Sequence, residues 1–233
     1  MRSSKEIEKN LIIKILQGEY PVNSSMQPER ELAAVFHVGR PTIREVLQKL
    51  SRSGWLTLRK GMPATINDFW KQGNVHTIVD IIQSLDEIPD EFVLYFLEFR
   101  IGITAQYVKE AVRKHHPKVV GLLSQMDGLQ DKAKDYAEYD WKLQKGLADL
   151  AENPIFLLTL NSFDGAYTKM AMRYFSYSFC REASSNYYKK LMAAALKGDY
   201  KQAEDISRSM MGKSYALWKS HLSLGVQGEK ENY

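Results

Sequence analysis

Two arginines one helical turn apart, Arg40 and Arg44, flank Thr42 at the start of a strongly basic run. Between positions 40 and 60 there are six Lys or Arg and a single acid, Glu45. Arginine is the best reader of guanine O6 and N7, and each good bidentate contact is worth about 1–3 kcal/mol of discrimination. Thr42 suits a phosphate or a thymine methyl, and Arg30, earlier in the chain, suits a backbone phosphate. Lys60-Gly61 sets a cation beside a residue without Cβ, which can approach a minor groove closely. The chemistry on offer is recognition of a DNA duplex.

Such side chains need a rigid element to align them. Residues 28–67 read as a helix, a tight turn, a second helix and a two-stranded hairpin. Pro28 suits the first position of a helix, where its missing N–H is no loss, and Leu32, Ala33 and Phe36 give that helix an apolar face. In His37-Val38-Gly39, the glycine is expected to take the positive φ that ends helices. Pro41 restarts the chain, and Ile43, Val46, Leu47 and Leu50 recur at helical spacing. Arg40, Thr42, Arg44, Gln48 and Arg52 occupy the opposite face, and a single helix of this kind fits a major groove. Ser53-Gly54 closes it. Residues 55–58 and 64–67 read as short strands joined by the basic tip 59–63. A first helix over 5–18 turns Ile7, Leu11, Ile12 and Ile15 inward.

The chain divides on this pattern into a winged helix-turn-helix over 1–67, a linker over 68–78 and a helical domain over 79–233. Phe69 and Trp70 are too bulky for a flexible tether. From residue 75 onward, runs near 75–86, 89–114, 117–127, 129–150, 154–177, 182–197 and 199–222 show 3.6-residue periodicity with no strand signal. The fold class is mainly α, the second domain an antiparallel bundle of six or seven helices. Residues 1–73 hold twelve Lys/Arg against seven acids, a net of +5, and the remainder twenty against twenty-one, a net of −1. A phosphate-binding surface therefore belongs to the first segment. One cysteine, Cys180, and no signal-like or membrane-spanning run point to a cytoplasmic protein without a membrane partner. No Ser-His-Asp, Cys-His, P-loop or dinucleotide pattern argues for an enzyme.

The run ERELAAVFHVGRPTIREVLQKLSRSGWL resembles the signature of the GntR family of bacterial winged-helix transcription regulators. GWLTLRKGMPATINDFW, with much of the chain beyond it, is similar to its FadR subfamily of fatty-acid-metabolism regulators. The resemblance implies DNA contacts at Arg30, Arg40, Thr42, Arg44, Lys60 and Gly61. It implies a homodimer matched to a palindromic operator. The chain departs from the subfamily pattern at Gly39, Pro41, Lys60 and Met62, which bears on the operator sequence.

Many GntR relatives hold a divalent metal with one Asp and three His. Asp140 matches the Asp, but Gln144, Tyr188 and Met210 stand at the histidine positions, so no metal is expected. The subfamily senses long-chain acyl-CoA, and Arg100, Tyr174, Ser214 and Trp218 fall at its responsive positions. That resemblance implies polar contacts from Arg100 and Tyr174, a close-packed Ser214 hydroxyl and an apolar wall from Trp218. Met211 replaces a glycine and would narrow the cavity. Phe156, Phe163, Met170 and Phe175 also fit an ordinary core, and a GntR-type response to an organic acid is the alternative.

Overall fold

The computed structural model describes residues 3–228, with side chains described through residue 222. Its packing divides the chain into two compact units, Met1–Glu87 and Ile88–Tyr233.

The first unit begins with α1 (Ser4–Leu16), started by a reciprocal capping box between Ser3 and Glu6. Its expected inner face, Ile7, Leu11, Ile12 and Ile15, is buried. α2 (Glu29–Phe36) and α3 (Arg40–Arg52) form the helix-turn-helix. The turn differs from expectation. His37, not Gly39, takes the left-handed conformation (φ 55°), while Gly39 is extended at φ −71° and caps α3. A helix exit needs its left-handed residue directly after the last helical turn. His37 occupies that place, and the Val38 N–H donates to the Ala33 carbonyl at 3.0 Å. β1 (Leu56–Thr57) and β2 (Thr65–Ile66) pair antiparallel, Leu56 opposite Ile66 and Thr57 opposite Thr65.

Residues 68–84 fold onto these elements. Gly54 ends α3 at φ +84°, and a Cβ there would lie 2.6 Å from the Gln72 carbonyl oxygen. Only glycine allows α4 (Phe69–Gln72) to approach so closely. The fully buried Trp55 ring sits 4.8 Å from that of Phe69, and its Nε1 donates to Asp80 at 3.0 Å on α5 (Val75–Ser84). Asn74 caps α5, and the Thr77 hydroxyl donates to the Ser53 carbonyl. The contact boundary thus falls after Glu87, beyond the 68–78 stretch read from sequence as a linker. Side chains far apart in sequence, Trp55 with Phe69 and Asp80, draw that stretch in.

The second unit is helical: α6 (Asp90–Leu123), a 3₁₀ turn (Ser124–Gly128), α7 (Ala133–Leu150), α8 (Pro154–Asn161), α9 (Tyr167–Phe175), α10 (Ser178–Leu196) and α11 (Tyr200–Gly228). α6 kinks at His115, two residues before Pro117, whose ring collides with the preceding turn. The run 154–177, which reads as one helix, is two, broken where Gly165 takes φ +82°. α11 lies antiparallel along α6: Trp218 Nε1 donates to the Asp90 carbonyl at one end (3.2 Å), and Lys109 pairs with Glu204 at the other (2.7 Å).

Candidate nucleic-acid interface and effector cavity

Burial of Ile43, Val46, Leu47 and Leu50 fixes the rotation of α3 about its axis. That rotation leaves Arg40, Arg44, Gln48 and Arg52 exposed and Thr42 half-buried on the outward face. Gly39 offers no side-chain acceptor to the first amides of α3. Pro41 has no N–H, and Thr42 and Ile43 donate to the Gly39 carbonyl at 3.1 and 3.4 Å, so the Arg40 N–H is the first-turn amide left at the positive end of the dipole, where phosphate binds readily. Arg30 is exposed in the first turn of α2, which likewise has no side-chain cap. At the hairpin tip Arg59, Lys60, Gly61 and Met62 are exposed, and Gly61 sits at φ +76° with open space where a Cβ would be.

A concave groove of about 870 Å³ runs between the start of α2, α3 and the wing. Arg44, Lys60 and Gly61 line it together, as do Glu29, Gln48 and Arg59. Arg30, Arg40 and Thr42 lie on the same two helices outside that groove. Sequence reasoning missed Glu29: its carboxylate takes Arg44 Nε at 3.2 Å and Nη2 at 2.8 Å. An acid in the first turn of α2 was the available signal, but its partner stands on another helix.

In the second unit a small cavity of about 20 Å³ is lined by Val93, Phe96, Leu97, Arg100, Met170 and Tyr174, among others. That is room for about one water. Arg100 Nη2 lies 3.3 Å from Asp140 Oδ2, and its guanidinium stands over the Tyr167 ring at 5.7 Å. Asp140 also accepts from Gln144 Nε2 and the Tyr188 hydroxyl, each at 3.0 Å, and from the Tyr167 hydroxyl. Tyr107 donates to Gln144 Oε1 at 2.5 Å. Four helices, α6, α7, α9 and α10, each contribute to this buried network. Burial alone would depress the Arg100 pKa, but the surrounding Tyr167 and Asp140 oxygens more than offset it and hold the guanidinium charged. Burial pushes the Tyr107 hydroxyl up to about 12 and those of Tyr167 and Tyr188 well above their ordinary value.

Besides Arg100 and Tyr167, Tyr174 is the third polar side chain of the cavity wall. Its hydroxyl is buried without a hydrogen bond of acceptable geometry. Ser214 and Cys180 lie near enough to bias its ionisation, which burial chiefly pushes upward. The Trp218 ring, fully buried, stands 5.9 Å from the Tyr174 ring. The structure therefore brings Tyr174, Ser214 and Trp218 into one cluster, and Arg100 lines the same cavity as Tyr174. Ser214, Trp218 and the buried Met211 lie outside the cavity lining. Gln144 and Tyr188 do face Asp140, but as hydrogen-bond donors. Among the described residues, no three His, Cys, Asp or Glu side chains gather to hold a metal. Burial raises the Cys180 thiol to about 11, and its neighbour Arg181 is taken by Asp131 at 2.5 Å.

Residues 3–66 match the model of bacterial regulatory proteins of the gntR family, and residues 67–224 match that of the FadR C-terminal domain. The fatty acid metabolism regulator protein of Shewanella pealeana is 33% identical over 213 residues, covering 91% of this chain and 89% of the relative. That of Pectobacterium carotovorum is likewise 33% identical, with the same coverage. The fold is shared with the solved structure of Lar, which controls expression of the Listeria monocytogenes agr system. That structure is 18% identical, with a TM-score of 0.56 over 94% of this chain and 98% of the other. A winged helix-turn-helix that bares its arginines, joined to a helical domain of this type, makes the chain a member of the GntR family of bacterial transcription regulators, with a FadR-type C-terminal domain.

Proposed function

We propose that this regulator governs fatty acid metabolism in the cytoplasm and that long-chain acyl-CoA, bound in the helical unit, releases it from its operator. The names of its relatives support the metabolic assignment. The observation that carries the effector reading is one cavity lined by a charged Arg100 and by Tyr167 and Tyr174 among Phe, Met, Leu and Val side chains. A thioester tail needs the apolar lining, and a coenzyme A head needs cations and donors.

The cavity's size says how such a ligand would act. Sites for ligands of drug size enclose roughly 300–1,000 Å³, against about 20 Å³ in this arrangement. An acyl chain therefore binds only an opened bundle, and its affinity is differential between the two arrangements by construction. Near-complete switching requires about 5.5 kcal/mol of that difference. Arg100, once it exchanges Asp140 for the ligand, contributes to the opened state alone. The signal reaches α3 along the chain through α4 and α5, where the Phe69 ring packs at a tilt against Trp55. Two copies, related by a two-fold axis, then lose the spacing that a palindromic operator demands.

A small organic acid is the second reading, and the same small volume favours it, since a carboxylate beside Arg100 needs less opening. Calorimetry with oleoyl-CoA against a panel of small carboxylates separates them. Heat with the acyl-CoA alone supports the lipid reading; heat only with a small acid replaces it.

A further inference from the structure

We infer that Glu29 is a positioning residue for base readout: it grips Arg44 from the side so that the guanidinium meets a guanine end-on. The inference rests on α3 being the helix that enters the groove. A guanidinium has two edges that make paired hydrogen bonds, the side edge of Nε and Nη2 and the end edge of Nη1 and Nη2. Glu29 occupies the side edge with both carboxylate oxygens, Oε1 on Nε at 3.2 Å and Oε2 on Nη2 at 2.8 Å. Among the described residues Arg44 Nη1 has no protein acceptor, and the second hydrogen of Nη2 points the same way as one of the two on Nη1. The end edge, matched to O6 and N7 of guanine, is thus the one left for DNA.

Placement supports the same conclusion. Glu29 stands in the first turn of α2, and both it and Arg44 line the groove shared with the wing. In water an exposed ion pair of this kind contributes little to stability, so fold maintenance gives weak reason for it. A carboxylate facing a duplex also repels phosphate and weakens general affinity. An acid here lowers binding to every sequence while fixing the geometry that one sequence requires. Specificity is what it supplies, by ordering an arginine that would otherwise sample several rotamers and touch phosphate or any base alike.

The test selects the preferred duplex of the wild-type protein from a randomised library. Fluorescence anisotropy then compares that duplex with its single-base variants for wild type, E29Q, E29A, R44A and E29A/R44A. E29A should lose about tenfold of the preference for guanine at one base pair per half-site, within the range set by one bidentate contact. Other positions should be unaffected, and affinity for unrelated DNA should hold or rise. E29Q, which keeps one acceptor, should fall between. R44A should lose the same preference, and the double variant no more than R44A. An unchanged guanine preference in E29Q and E29A overturns the inference, as does a double variant that loses more than R44A. An R44A protein with wild-type preference overturns both this inference and the assignment of α3 to the groove.

Discussion

Arg100 sets a guanidinium nitrogen 3.3 Å from the Asp140 carboxylate inside the helical unit, with both side chains almost wholly out of solvent. A buried pair of this kind is weak evidence of stability gained, but breaking it leaves one charge stranded. Arg100→Ala should therefore destabilise the second unit by about 3–5 kcal/mol. The paired change Arg100→Met with Asp140→Leu should recover only part of the loss, because it strands the Gln144, Tyr167 and Tyr188 donors that Asp140 accepts from. Denaturant unfolding followed by tyrosine and tryptophan fluorescence measures both, and an Arg100→Ala protein of unchanged midpoint would remove the pair from the fold's support.

Tyr174 gives the opposite sign. Its buried hydroxyl, beside Ser214 and Cys180, makes no well-aligned hydrogen bond, a state that forfeits up to about 1–3 kcal/mol of solvation. Tyr174→Phe should raise the unfolding midpoint while weakening the response to effector, because the same hydroxyl is the one offered to a ligand. A variant that is stabilised but responds normally would detach Tyr174 from sensing.

Gly54→Ala forces a Cβ to within 2.6 Å of the Gln72 carbonyl oxygen at φ +84°. Strain from positive φ alone exceeds about 1 kcal/mol, and the clash with main chain adds to it. The first unit should melt earlier while the second keeps its own transition, which differential scanning calorimetry resolves.

Acid should loosen the contact between α6 and α11. The Glu204 carboxylate is held below its ordinary value near 4.5, first by the Lys109 hydrogen bond and then by Arg208. A lowered folded pKa means stability that is present above the ordinary value and lost as pH falls through the folded one. The unfolding midpoint should thus drop as pH falls below about 4.5, and Glu204→Gln should flatten part of that slope. Equal slopes in the two proteins would assign the acid sensitivity elsewhere.

Much of the winged unit was legible because its information is local. The spacing of Ile43, Val46, Leu47 and Leu50 dictates which way Arg40 and Arg44 face, and α3 obeys it. His37 was less legible: a left-handed residue with a side chain is uncommon, so Gly39 looked the better candidate. Pairs that span the chain were not legible at all. Trp55 with Asp80, Glu29 with Arg44 and Arg100 with Asp140 depend on packing between helices that periodicity does not order. Those pairs draw 68–84 onto the first unit and place the cavity's charge in the second.

The most direct measurement is the anisotropy of a labelled duplex, selected by the protein from a random library, as oleoyl-CoA is added. Stoichiometric release of the duplex by the wild type, with Arg100→Met and Tyr174→Phe each needing more ligand, is the expected result. A complex that stays intact at saturating oleoyl-CoA would contradict acyl-CoA control of this regulator.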